Sequence, residues 1–481
     1  MKKSFLYAFF TICFAFSLCL TAMATNEIPE QTEIKEAENI TEKVDFLINE
    51  SSDDIGKITD DDASTYVGGA NNNTFTISVS SEVSIHGIYI KWNGMPAKWQ
   101  VSSGGDSDNI KEYTGEFLHS FIELNGEKEV QISWADKNGA LAEIFVFSEG
   151  QVPSWVQKWD APCEKADMLL LPTHPDDELL FFGGTMATYA GEKGLKVQVG
   201  YMTYAGIERY HELLDGLWTS GVKNYPIVPD FPDKYSETLE EAKNGYDENE
   251  IMEYFVELIR RFKPEVVIGH DINGEYGHGA HMLNSEILRN ALPLAKDETV
   301  YYESLTEYGV WEVKKCYLHL YSENKIEMLW DTPLEAFDGK TAAEIAELSW
   351  NKHVSQQHLF NFKVDGRYGC AYFGLFHTTV GPDVNLNDFM ENIPLESLTT
   401  YVAPEEDSSD DNLVEGQLID SSLETFNDVR DLPSAPSTGE KLVAAGLTCI
   451  VSLGIILGGI GFIQRADRKR KRLKKQKQME V

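Results

Sequence analysis

Three kinds of apolar pattern follow one another along the chain. From Ser52 to Glu149 apolar and polar residues alternate in short runs: Phe75 to Val79, Val83 to Ile85, Ile88 to Trp92, Trp99 to Val101, Phe117 to Leu124, Val130 to Trp134 and Ile144 to Phe147. Gly, Asn and Asp punctuate them. Evenly spaced period-two runs predict short strands and an all-β sandwich over 52–150. From Asp160 to about Asn392 the pattern changes. Strand-like runs at Leu169–Leu171, Val197–Met202 and Val266–Gly269 read as buried parallel strands. Leu179–Ala190, Arg209–Val222, the set Ile251, Phe255, Leu258, Ile259 and Phe262, and Ala342–Gln357 read as helices. This βαβ alternation predicts an α/β fold over 160–392, a Rossmann-like doubly wound and mainly parallel sheet. The third pattern is the uncharged run Leu442–Ile463, long enough to span a bilayer.

The flanks extend that picture. Lys2 and Lys3, the apolar stretch Phe5–Leu20 and Ala22-Met23-Ala24 make 1–24 a secretory signal. Residues 25–51 read as an acidic tether, and 404–441, acidic and rich in Ser, as a disordered linker. The tail 464–481 holds nine Lys/Arg against two acids. The positive-inside rule places it in the cytoplasm, as the end of a single-pass protein whose body is extracellular. Pro436-Ser437-Thr438-Gly439-Glu440 before the apolar run resembles the wall-sorting signal of Gram-positive surface proteins, with Ala435 in place of the leucine. A permanent membrane anchor at Leu442–Ile463 is the favoured expectation.

The formal net charge of −37 repels nucleic acid and excludes it as a partner. Of six cysteines, only Cys163, Cys316 and Cys370 lie outside the signal and the membrane run. Their odd number points to a core-stabilised rather than a disulfide-stapled body.

Chemistry gathers in two turns. Leu169–Leu171 runs into His174-Pro175-Asp176-Asp177-Glu178, and Val266–Gly269 runs into His270-Asp271-Ile272-Asn273-Gly274-Glu275-Tyr276-Gly277-His278-Gly279-Ala280-His281. In open α/β sheets, ligands sit at the carboxyl ends of strands. Both clusters occupy such ends and together offer imidazoles and carboxylates enough to hold zinc with one position open.

His174 to Glu178 together with Gly277 to His281 resembles the PIG-L, or LmbE-like, zinc-dependent de-N-acetylases. Arg209-Tyr210-His211-Glu212 resembles that family's Arg-x-x-Glu, and Lys352–Gln356 and Thr379–Asp383 resemble its bacterial members. The resemblance implies one zinc per chain, with His174, Asp177 and His281 as ligands and Asp176 as general base. It also implies His278 as general acid or oxyanion partner, Tyr276 as oxyanion partner and Arg209 as the substrate grip. Glu178 and Asp271 remain either orienting groups for a ligand histidine or plain turn charges. The sequence departs from the family in lacking the Pro-Asp that often separates the two histidines, which leaves the support of His281 open.

Ile58 to Tyr66 resembles the start of discoidin-like, galactose-binding-like modules. Trp92 and Trp99 have two open placements, stacked on a sugar or within the core. The expected function is a cell-surface hydrolase removing N-acetyl groups from an N-acetylglucosamine-type amino sugar or glycan. The alternatives are a carbohydrate-binding protein with a non-catalytic scaffold, and an amidase on a non-sugar amide.

Overall fold

The computed structural model describes residues 35–68, 74–104 and 109–400. The signal (1–24), the linker, the membrane run (442–463) and the basic tail lie outside the described residues. Among the described residues no helix is long and apolar enough to cross a membrane.

The first part is one antiparallel sheet of seven strands. These are β1 (Asp45–Ile48), β2 (Val67–Gly68), β3 (Phe75–Gly94), β4 (Lys98–Ser103), β5 (Ile110–Thr114), β6 (His119–Trp134) and β7 (Ala140–Phe147). Their order is β2-β7-β3-β6-β4-β5, with β1 on β3. The expected all-β character is present, and the strands pair into one hydrogen-bonded path. Three expected runs fuse into β3, because the chain between Ser80 and Gly87 shifts register twice against β6 instead of turning. Alternation marks which face a residue takes, not where a strand ends. Trp92 and Trp99 settle into the core: both are buried, edge to face at 5.4 Å, with Trp92 also 5.1 Å from Trp134.

The acidic tether is corrected over its second half. Phe46 and Ile48 alternate inward and pair with β3, and Ile40 is buried. Four residues of period two are too short a signal to stand out from polar neighbours.

The second part is a six-stranded sheet: β8 (Met168–Leu170), β9 (Val197–Val199), β10 (Val266–Gly269), β11 (Lys315–His319), β12 (Lys325–Glu327) and β13 (Tyr372–Thr378). Its order is β12-β13-β11-β10-β8-β9. The four strands β9, β8, β10 and β11 are mutually parallel, and β13 and β12 close one edge antiparallel. The helices are α1 (Asp177–Leu180), α2 (Ile207–Thr219), α3 (Leu239–Gly245), α4 (Glu248–Phe262), α5 (Gly279–Ala295), α6 (Tyr302–Tyr308) and α7 (Ala342–Trp350). Successive strand residues feed opposite cores. Met168, Leu170, Val266 and Ile268 pack with Leu213, Leu217 and Trp350, while Leu169, Leu171 and Val267 pack with Phe255, Ile259 and Leu288. Both faces are therefore covered, as a parallel sheet requires.

The expected helix Leu179–Ala190 is instead α1, a turn, and a wider helical turn at Ala187–Glu192. Gly183 breaks it. Its φ is +48°, and a Cβ there would lie 2.3 Å from Cys370 Sγ. Cys163, Cys316 and Cys370 are buried and unpaired, so the core rather than a disulfide holds this part.

The chain leaves β8 toward β9 on one side and returns with β10 on the other. The strand order thus reverses between β8 and β10, the switch point where α/β sheets open a crevice.

Candidate active site

Both polar turns open at that switch point. The segment from β8 into α1 carries His174 to Glu178, and the segment from β10 into α5 carries His270 to His281. They are sewn together where Thr173 N–H donates to His270 Nε2 at 2.9 Å.

His174 Nδ1 lies 3.1 Å from Asp177 Oδ2 and 3.1 Å from His281 Nε2, and Asp177 Oδ2 lies 3.3 Å from His281 Nε2. Tetrahedral zinc with N and O ligands at 2.0–2.2 Å has ligand–ligand edges of about 3.3–3.6 Å. The three donors make a triangle of nearly that size, so this set fits the ion. His174 Nε2 makes no hydrogen bond and faces Asp233 Oδ1 at 3.4 Å. Two other groupings also gather potential donors: His174, His278 and His281, and Asp177, His270 and His281. His270 has no lone pair free for a metal, because Nε2 accepts from Thr173 and Nδ1 donates to Glu275 Oε2 at 2.8 Å.

Asp176 and Asp177 are adjacent and both buried, yet opposite in behaviour. Burial pushes Asp176 up, Arg209 draws it back and Asp177 pushes it up again, leaving it above the usual carboxylate range. Asp177 is held well below that range: burial opposes this, but His281 and His174 outweigh it. Two carboxylates with separated affinities for a proton are the pattern of divided labour. Arg209, on α2, meets Asp176 Oδ1 at 2.9 Å and Asp233 Oδ2 at 3.3 Å. Asp176 has φ +141°, a conformation a non-glycine residue adopts at a cost of about 1–3 kcal/mol. Glu178 Oε2 holds it there by accepting the Asp176 N–H at 2.8 Å, and Glu178 Oε1 is held by His353 Nε2 at 2.9 Å.

His278 lies with its ring 5.0 Å from that of His174 and 4.7 Å from that of His281. Burial first, then the two neighbouring histidines, push it down to about 2. It is neutral, and its buried Nδ1 makes no hydrogen bond. Tyr276, with φ +57°, has its ring 4.3 Å from Tyr368 and 6.0 Å from Phe181, which packs on His281.

All seven residues expected from the sequence are thus in or around one crevice. Of the two readings open for Glu178 and Asp271, the orienting one fails: neither residue orients a ligand histidine. Glu178 secures Asp176 rather than a ligand histidine, and Asp271 closes its own turn by accepting from Asn273. The group that supports His281 is Glu275. Its Oε2 accepts from His281 Nδ1 at 2.9 Å and its Oε1 from His319 Nδ1 at 2.7 Å. Sequence reasoning missed Glu275, Asp233 and His319. The first sits inside the second motif, where its spacing from His281 was the available signal. The other two come from segments with no motif of their own.

Comparison with known proteins agrees with the geometry. Residues 169–292 match the family model "PIG-L: GlcNAc-PI de-N-acetylase". The chain is similar to 1D-myo-inositol 2-acetamido-2-deoxy-alpha-D-glucopyranoside deacetylase 1 of Catenulispora acidiphila, 27% identical over 33% of this chain and 56% of the relative. The corresponding deacetylase of Salinispora arenicola is 25% identical over 44% of this chain and 84% of the relative. Among solved structures, N,N'-diacetylchitobiose deacetylase from Pyrococcus horikoshii matches 40% of this chain and 72% of that one, at 17% identity and a TM-score of 0.29. The chain spans 56% and 60% of the length of the first two curated relatives it matches. Residues 169–292 form a PIG-L (LmbE-like) de-N-acetylase domain.

Proposed function

We propose that this chain is a zinc-dependent de-N-acetylase acting on an N-acetylglucosamine-type unit of a glycan at the outer face of a cell membrane. The observation that carries the proposal is the donor triangle of His174, Asp177 and His281 with Asp176 and His278 beside it. The names of the relatives, deacetylases of an acetamido sugar, support the amino-sugar class. Surface placement rests on the signal at 1–24, the apolar run Leu442–Ile463 and the basic tail.

A bound zinc ion would supply Lewis acidity toward the acetyl carbonyl and the attacking water. Asp176, raised but still within reach of neutral pH, takes a proton from that water and returns it to the departing amine. Neutral His278 is the partner for the developing oxyanion, offering an N–H rather than a charge, and the Tyr276 hydroxyl is the second donor. Arg209 keeps Asp176 turned into the crevice and presents its remaining N–H groups to the sugar. Asp233, one-third exposed beside it, accepts from a sugar hydroxyl.

The full-length protein in detergent should hold one zinc per chain and release acetate from N-acetylglucosamine oligomers. Chelation should abolish release, and one equivalent of zinc should restore it. Stoichiometric zinc without release from any acetylated sugar would leave the scaffold reading standing. Release from acetylated peptides alone would move the substrate out of the amino-sugar class.

A further inference from the structure

The antiparallel sheet meets the α/β part along one face of α2. His119, the first residue of β6, is fully buried there. Its Nε2 lies 2.7 Å from His211 Nδ1, with the two rings stacked at 5.0 Å. Its Nδ1 lies 2.7 Å from Gln157 Oε1, which also accepts the Trp159 indole N–H at 2.8 Å. A carbonyl oxygen only accepts, so His119 carries its proton on Nδ1. Its Nε2 then bears a lone pair, and His211 donates to it from Nδ1. The Gln157 amide donates in turn to Asp215, one turn further along α2, which Lys91 of β3 faces at 3.4 Å. Tyr89 Oη at 3.1 Å and Asp215 at 3.8 Å complete the surroundings of His119. Burial, reinforced by the charge of Lys91, holds both histidines well below their ordinary range. The hydrogen bonds therefore run in one direction, from His211 through His119 and Gln157 to Asp215.

An adjoining face of α2 carries groups that meet the first polar motif and its supports. Arg209 meets Asp176. Glu212 accepts from the N–H and the hydroxyl of Ser355, both at 2.6 Å, on the segment that carries His353. Gly216 lets the helix approach closely: a Cβ there would lie 3.2 Å from His353 Nε2. One helix thus carries both the contact with the sheet and the groups that hold Asp176.

We propose that His119 is a positioning residue: through His211 it fixes the seating of α2 and thereby the register of Arg209 against Asp176. The antiparallel sheet is then a working part of the hydrolase rather than an independent sugar-binding module or spacer. The inference rests on the deacetylase reading for its kinetic arm alone.

The test is a double-mutant cycle in the full-length protein, with hydrogen exchange as a second readout. His119→Ala should lower kcat about tenfold or more with zinc content unchanged, since displacements near 1 Å at a reacting group cost about that much or more. Arg209→Lys should lower it further, and the double variant should lose no more than Arg209→Lys alone, the mark of coupled residues. His119→Gln, which keeps an acceptor opposite His211, should recover most of the loss. Amides of Ile207–Thr219 should exchange faster in His119→Ala while those of β10 and β11 do not. Additive losses in the cycle, or no rescue by His119→Gln, would refute the positioning role. If His119→Ala does not fold, Asp215→Ala opens the same seam from the helix side and must show the same coupling to Arg209. Unchanged exchange in α2 overturns the proposal whether or not wild type releases acetate. A silent wild type with faster exchange counts against the deacetylase reading alone and upholds the seating of α2 by His119.

Discussion

Asp176→Asn should reduce acetate release about 10²–10⁴-fold, the usual range for loss of a positioned general base, while the protein still binds one zinc per chain. The two parts of this result are separable because the structure separates the two carboxylates. Asp177 Oδ2 completes the donor triangle with His174 and His281, whereas Asp176 points to Arg209 at 2.9 Å. Asparagine keeps the shape and can still accept from Arg209, but it cannot take a proton from water at neutral pH. The backbone at φ +141° is held through Glu178 and the Asp176 N–H, which the substitution leaves in place. The fold should therefore survive, and thermal unfolding should shift little. The measurement is single-turnover acetate release with zinc quantified in the same sample. Loss of zinc in Asp176→Asn would mean that Asp176 is a ligand; release within a factor of about three of wild type would remove the general-base role.

The legible part of this chain is the part encoded by local pattern. His174, Asp177 and His281 belong to two short motifs, each following an apolar run that reads as a buried strand. Once two such strands are parallel neighbours, the motifs meet, and the meeting needs no knowledge of the rest of the fold. Asp233 was invisible because it arrives by a path that no periodicity announces. The segment after α2 runs beside β9, with Ile227 N–H donating to Val199 O and Tyr204 N–H to Phe231 O, and only that pairing carries Asp233 to His174. His319 ends β11, a strand whose five residues are all buried but include a lysine and a histidine, so its pattern is masked by polar groups that find partners inside. The sheet at the front was legible as strands but not as pairing, because β3 continues where its sequence suggested turns. The contact of His119 with His211 depends on how two sheets meet and has no local signature at all.

Replacing Glu275 should cost the protein its grip on metal. Glu275 is fully buried and receives four N–H donors: His270 and His281 on Oε2, His319 and the backbone of Asp271 on Oε1. Against the upward push of burial, His270 beside it and the hydrogen bonds of His270, His281 and His319 hold it well below the usual carboxylate range. A carboxylate surrounded by donors fixes the tautomer of each histidine. With Nδ1–H of His281 committed to Glu275, its Nε2 lone pair faces His174 and Asp177, as a ligand needs. This also answers the missing Pro-Asp between His278 and His281: support comes from six residues upstream rather than from the neighbouring position. Glu275→Gln keeps the volume but brings two N–H groups of its own into a ring of donors. At least one buried donor is then unsatisfied, at about 1–3 kcal/mol. Removing an outer partner of a ligating histidine typically weakens metal binding about 10–100-fold. Zinc competition with a chelating dye should therefore show a loss in that range for Glu275→Gln, together with a lowered melting temperature in the zinc-free protein. An affinity equal to that of wild type would show that His281 is oriented by its packing on Phe181 and His270 instead, and that the buried carboxylate serves only the fold.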